Sequence, residues 1–325
     1  MNVIDQDLIN QAVVARFLKW HDRRHLAQSY LLTGPRDIGK LATAMAVAKA
    51  LNCENTSKGS DDFYCSSCPS CVKIETMNHP DIHVLEADGD TIKIEQIRQF
   101  LNQIRFCAFQ AKIKIFIIKD IDKVTPEAGN ALLKTLEEPS ANSLILLTSA
   151  FPDRMLSTIR SRCHQVAFYP VSEEKLAEQL QKYYDIPNAS TRFLAYFAEG
   201  CFGKAKRFYS GNILDFKNEV IQRFILTSDH EGFIKTVTAD KDRTGLFLDI
   251  VLSWVRDMLF LKVDLDRRKL IFIEHQKDLE QMSRRYTLND IQNIWEQVVN
   301  IRKLHAENLN IKIPLAILKE SLWDN

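Results

Sequence analysis

The sequence predicts an α/β domain built on a parallel sheet, followed by a remainder that is all helix. Three observations carry this. Between Ser29 and Phe168, apolar runs of strand length alternate with helical stripes, the order that makes a helix-covered parallel sheet. After Pro170 the strand-length runs stop. Ten Gly and nine Pro in 325 residues are few, and a chain so short of breakers favours helix. Two or three domains are expected at this length, and the divisions fall at 1–170, 171–211 and 212–325.

Ser29–Thr33 is the first strand. It runs into Gly34–Lys40, and Leu41–Leu51, rich in Ala and Leu, is a helix. A polar, cysteine-bearing insertion follows over 52–77. His83–Glu86 is the second strand. Ile94, Ile97, Leu101 and Ile104 then recur at steps of three and four, the apolar stripe of an amphipathic helix. Lys114–Ile118 is a third strand, continuous in apolar character as a strand buried on both faces should be. Thr125 and Pro126 open the next helix with an N-cap and a first-position proline, and Pro139 closes it. Leu144–Thr148 and Gln165–Phe168 are the last strands. Ser172–Tyr184, Ser190–Ala198 and Lys204–Tyr209 read as short helices, with turns at Gly200 and Gly203. From about Asn212 nearly everything reads as long helix, most clearly along Leu288, Ile291, Ile294, Val298, Ile301 and Leu304.

Gly34-Pro35-Arg36-Asp37-Ile38-Gly39-Lys40-Leu41 follows a strand and opens a helix. In that setting backbone N–H groups and the helix N-terminus cradle phosphates, and Lys40 would reach the β/γ-phosphates. The eighth position calls for Ser or Thr to ligate Mg²⁺, yet it holds Leu41. A turn with no nucleotide and a weak or vestigial nucleotide site both remain open. The end of the third strand bears on the same point. Lys119 stands where a phosphate-cleaving enzyme carries its metal-binding acid, and Asp122 comes two residues too late. Both departures argue against hydrolysis.

Four of the seven cysteines are bunched at Cys53, Cys65, Cys68 and Cys71. Four thiolates suffice for one tetrahedral Zn²⁺, and a site with no open position is structural. The alternatives are disulfides, to which nothing else in the chain points, and free thiols. His79 and His83 lie close by; His79 sits in His79-Pro80-Asp81 and His83 starts a strand, so both read as structural. Cys107, Cys163 and Cys201 read as core or motif positions.

Lys+Arg 43 against Asp+Glu 42 leaves a formal charge of +1, so contact with nucleic acid must come from a local patch or from partners. Arg267-Arg268-Lys269 and Arg284-Arg285 are basic clusters that read as solvated helix faces. No stretch approaches the ~20 apolar residues of a membrane span. Met1–Asp7 lacks a signal-peptide pattern, so a cytoplasmic protein is expected.

In their order these motifs resemble the delta-prime subunits of bacterial DNA polymerase III, in the AAA+ clamp-loader family. The resembling pieces are Leu31–Lys40 (LLTGPRDIGK), the four-Cys module, His79–Asp90 (HPDIHVLEADGD), Asn130–Pro139 (NALLKTLEEP) and Ser161-Arg162-Cys163 after Ser157-Thr158-Ile159. They cover about residues 20–170. Gly200–Ala205 (GCFGKA) and Asn308–Leu318 (NLNIKIPLAIL) are weaker echoes. The gamma/tau motor subunit shares most of these features.

The resemblance implies an AAA+ domain over 1–170 with a zinc module at 52–77. It also implies a small helical lid over 171–211 and a helical collar over 212–325 that joins subunits into a ring. It makes Arg162 an arginine finger that reaches the γ-phosphate bound by the adjacent subunit, and it places helix Thr125–Glu138, with Lys134, beside that interface. It implies gamma/tau and delta as partners in a hetero-pentameric ring that loads the sliding clamp on primer–template DNA. Gly34, Gly39 and Lys40 would be the degenerate nucleotide loop, and ATP is doubtful here. Leu41, Lys119 and a Gly203 where a motor carries an Arg favour delta-prime over gamma/tau. Gln28, where many relatives have His, carries no functional consequence. A gamma/tau-like ATPase is the enzyme alternative. A zinc-ribbon DNA-binding protein is the third reading, opposed by the near-zero net charge.

Overall fold

A computed structural model describes residues 6–55, 63–104, 108–140, 142–227 and 231–322. Cys107, most of the N-terminal stretch considered for a signal peptide and part of the 52–77 insertion lie outside them. The chain divides into two compact units. The first ends at Val171 and adds Cys201–Lys204; the second is Ser172–Gly200 with the chain from Ala205 onward. The segment 171–211 thus contributes Cys201–Lys204 to the first unit and otherwise belongs to the second.

The first unit runs α1 (Gln11–Asp22), β1 (Ser29–Thr33), α2 (Lys40–Asn52), α3 (Pro69–Glu75), β2 (Ile82–Leu85), α4 (Ile94–Ile104), β3 (Lys114–Ile118), α5 (Pro126–Glu137), β4 (Ser143–Ser149), α6 (Ser157–Arg160) and β5 (His164–Ala167). The strands form one sheet in the order β2-β3-β4-β1-β5, with every pairing parallel. Every residue of β3 and β4 is buried, as their unbroken apolar runs require. Alternation sorts their side chains onto two faces. Tyr30, Leu32, Ile115, Ile117, Leu144 and Leu146 pack with α1 and α2. Leu31, Phe116, Ile118, Ile145 and Leu147 pack with α4, α5 and α6. The helix at α5 opens as its sequence demands, with the Thr125 hydroxyl accepting the Ala128 N–H and Pro126 in the first turn.

Three strands start one residue earlier than the sequence suggests, β2 at Ile82, β4 at Ser143 and β5 at His164. For β2 the cause is register, because the Asp81 carbonyl already accepts the Ile115 N–H and starts the ladder. The polar insertion also contains an unforeseen helix, α3, with Cys68 as its N-cap.

The second unit is helical: α7 (Glu173–Tyr183), α8 (Asn188–Phe197), α9 (Phe202–Ser210, from Ala205), α10 (Ile213–Glu219), a π-helical turn (Val220–Leu226), α11 (Glu231–Val237), α12 (Lys241–Lys262), α13 (Gln276–Arg285), α14 (Leu288–Ala306) and α15 (Lys312–Ser321). The expectation of nearly continuous long helix is corrected, since among the described residues only α12, with 22 residues, and α14, with 19, are long. Asn212, Asp264 and Asn308 take left-handed backbone where helices end or begin, a conformation that Asn and Asp tolerate. On α14 the stripe Ile291, Ile294, Val298 and Ile301 is buried, while Leu288, just after the Thr287 cap, is exposed.

Candidate functional site

The glycine loop joins the end of β1 to the N-terminus of α2 and is enclosed by protein on three sides. A Cβ on Gly34, at φ +148°, would lie 2.6 Å from the Phe168 carbonyl oxygen. On Gly39, at φ +96°, it would lie 1.9 Å from the Leu8 carbonyl oxygen, so the short turn Gln6–Leu8 presses on the loop. Gly203 closes the third side. Its N–H donates to the Asp37 carbonyl at 3.1 Å, and a Cβ would stand 2.4 Å from that oxygen. An Arg at 203 could not take this packing. The buried Lys40 ammonium donates to the carbonyls of Gly34 (2.7 Å) and Pro35 (2.6 Å). Burial holds its pKa below the ordinary lysine range, against the pull of Asp120, Asp122 and Asp37. Leu41 packs half-buried on the core and offers no oxygen to a metal.

Lys119 follows β3 as expected, but its ammonium is not turned to the loop. It pairs with Glu86 at 3.0 Å, and the acids whose charge reaches Lys40 are Asp120, Asp122 and Asp37. This corrects the expectation that Lys119 sets a positive charge in the metal position. Asp122 is anchored, accepting the Ser149 hydroxyl (2.6 Å) and the Ala150 N–H (3.1 Å).

The cysteine module forms where α2 ends and α3 begins. The sulfurs of Cys53, Cys65, Cys68 and Cys71 all lie within 4.8 Å of one another. Backbone N–H groups aim at three of them: Cys65 at Cys53 (3.4 Å), Cys68 at Cys65 (3.3 Å) and Cys71 at Cys68 (3.5 Å). Hydrogen bonds from the Ser67 hydroxyl and N–H push the Cys65 thiol down to about 6, whereas burial pushes Cys71 up. Four sulfurs this close cannot all ionise unless a cation joins them, and the donor set fits Zn²⁺ as a closed structural site. An ion pair between Lys49 of α2 and Glu75 of α3 ties the module to the sheet-covering helix, and the Lys49 ammonium also lies 5.1 Å from the Tyr64 ring.

His79 and His83 stand outside this cluster. The His79 Nδ1 accepts the Asp81 N–H, and His83 stacks on Phe116 at 5.0 Å. Asp81 is a structural residue that sequence reasoning left without a role. Its carboxylate accepts the N–H groups of Phe109 (2.9 Å), Gln110 (2.6 Å) and Ala111 (2.8 Å), fixing the approach to β3. Burial works to raise its pKa, but these donors win and hold it below the ordinary range. Cys163 and Cys201 are buried, and burial pushes the Cys163 thiol up to about 12.

Arg162 lies in the link from α6 to β5, the edge strand of the sheet. Buried Ile159 and Cys163 pin the chain on either side of it. Thr33, where the glycine loop begins, pairs with Ala167, and Arg162 lies in the turn before His164, the first residue of that parallel strand. Arg162 and the glycine loop are therefore at opposite ends of the sheet. It is one-third exposed and meets Glu137 at the end of α5. Glu137 was not singled out in the sequence; the visible signal was its place in the last helical turn before Pro139. Lys134, one turn earlier, is exposed. The basic clusters carry local acids: Arg267 pairs with Glu280 (3.3 Å) and Arg268 with Asp266 (3.0 Å). Among the described residues, no helix is long and apolar enough to cross a membrane.

Comparison with known proteins agrees over most of the chain. The family described as "DNA polymerase III, delta subunit" matches residues 9–172, and "DNA polymerase III, delta subunit, C terminal" matches 214–319. The DNA polymerase III subunit delta' of Bacillus subtilis (strain 168) is 27% identical over 299 residues, 90% of this chain and 89% of that one. The delta' subunit of Pseudomonas aeruginosa is 36% identical over 147 residues, 45% of this chain and 44% of its own. The tau subunit of Escherichia coli (strain K12) is 33% identical over 153 residues, 47% of this chain but 23% of that protein.

Proposed function

Because this chain belongs to the DNA polymerase III delta-subunit family, we propose that it is the delta-prime-like member of a clamp loader, one that does not hydrolyse ATP itself. In this reading the first unit is the AAA+ domain. The helices of the second unit supply the lid and the collar. Gamma/tau and delta subunits complete a hetero-pentameric ring, and that ring loads the sliding clamp on primer–template DNA. Cys53, Cys65, Cys68 and Cys71 hold a structural zinc.

The placement of Arg162 carries the reading. A permanently charged, planar fork just before the edge strand, at the far end of the sheet from its own glycine loop, is suited to a phosphate held by a neighbouring subunit. Two features at the loop support the absence of hydrolysis here. Leu41 brings no hydroxyl to a magnesium ion, and Lys40 already donates to Gly34 and Pro35. The likeness to tau over the first half of the chain leaves a gamma/tau-like motor as the second reading.

The test is ATP turnover by a ring reconstituted with Arg162→Ala in place of the wild-type chain. Turnover should drop while ring assembly persists, and the isolated wild-type chain should show no ATPase. An unchanged rate in the Arg162→Ala ring, or clear hydrolysis by the isolated chain, would overturn the assignment.

A further inference from the structure

Helix α5 ends on a carboxylate that its own electrostatics disfavour. The last turn of a helix presents carbonyl oxygens, so Glu137 at this place is repelled by its helix. The opposing charge comes from Arg162. One oxygen of Glu137, Oε1, accepts the Nε–H of Arg162 at 2.6 Å and forms an ion pair with its Nη2. On the other side Nη1 donates to the Thr158 carbonyl (3.0 Å) and reaches the Ser161 hydroxyl at 3.4 Å. The meeting depends on close packing of α5 against the segment before α6. A Cβ at Gly129 would stand 2.7 Å from Leu156 Cδ1, so the two segments lie in close contact here.

We propose that Glu137 is a positioning residue for Arg162, holding the guanidinium by its side fork so that its end fork is the one that meets an anion. This rests on the reading of Arg162 as a finger acting on a neighbour's nucleotide. A guanidinium has two forks able to meet an anion bidentately, Nε with Nη2 and Nη1 with Nη2. Glu137 takes the first; the second, whose Nη1 rests on Thr158 and Ser161, meets phosphate oxygens by exchanging those neutral partners for a charged one. The side chain thus loses rotational freedom before the phosphate arrives. Glu137 itself does not touch the nucleotide.

The size of the effect follows from exposure. Arg162 is 33% and Glu137 49% exposed, and a pair so open to water favours one arrangement by about fivefold at most. The experiment compares ATP turnover of reconstituted rings carrying Glu137→Ala, Glu137→Gln, Arg162→Ala and the Glu137→Ala/Arg162→Ala double variant. Glu137→Ala should lower kcat about fivefold with KM for ATP unchanged, because the neighbour binds the ATP. Glu137→Gln keeps an accepting oxygen and should recover most of the rate. In the Arg162→Ala background, Glu137→Ala should change nothing further. If Arg162→Ala slows the ring while Glu137→Ala runs at the wild-type rate, the positioning role is overturned and the finger stands. A Glu137→Ala loss that persists without Arg162 also overturns it. A wild-type rate for Arg162→Ala removes the finger, and the positioning role with it.

Discussion

The glycine loop and the Arg162 edge occupy opposite ends of one sheet, and they use their polar groups in opposite ways. At the loop the charged group turns inward, with Lys40 buried and satisfied by two carbonyls of its own turn. Leu8, Phe168 and Gly203 close over the glycines. At the edge the charged group stays partly in water, held by a half-exposed carboxylate. A motif can thus keep its spacing and its strand-to-helix setting while its groups serve packing.

The sharpest way to test this contrast is to keep the charge at the edge and remove its shape. Arg162→Lys should slow the neighbour's site nearly as far as alanine does, approaching the ~10³-fold loss expected for a finger, because a point charge cannot reproduce the fork. Full turnover with lysine would reduce the edge to a simple positive charge. Next in size is the clamp on the loop. Gly203→Ala places a methyl 2.4 Å from the Asp37 carbonyl and should cost about 2 kcal/mol of stability in urea melts, as overpacking typically does. An unchanged midpoint would mean that the loop is not clamped from that side.

Metal removal should reach neither region directly. Purified protein should carry about one zinc per chain, and stripping it should loosen α3 and lower Tm by a few degrees, with Arg162-dependent turnover of the ring retained. Protein that holds no zinc as purified would end the metal assignment. The smallest effect is expected at Lys40. Lys40→Met should leave ring turnover unchanged, and its mark should be on stability against pH. The folded-state pKa of Lys40 lies below its ordinary value of 10.5, so between the two the unfolded chain holds more protons and stability rises with pH. The wild-type protein should therefore gain on Lys40→Met as pH climbs toward 10.5. A difference that stays flat would mean that Lys40 is not buried as described.

Much of this was visible along the chain because it depends on neighbours in sequence. The alternating apolar runs specify strands, and the Thr125-Pro126 pair specifies a helix start. The spacing of Cys65, Cys68 and Cys71 points to a metal because x2 intervals let ligands converge within a turn or two. The helical remainder was less legible, since its breaks at Asp264 and Asn308 rely on left-handed residues with no adjacent Gly or Pro.

What depends on residues far apart in the chain could come only from packing. No local pattern tells that Leu8 rests on Gly39, that Gly203 needs its missing side chain because Asp37 lies against it, or that Lys119 turns to Glu86. The meeting of Glu137 with Arg162 spans 25 residues and exists because two helices approach at Gly129. Strand and helix patterns report which side of an element is buried, a property of one segment and its period. Which charge meets which is set by the order of strands and the closeness of helices, and those are properties of the whole fold.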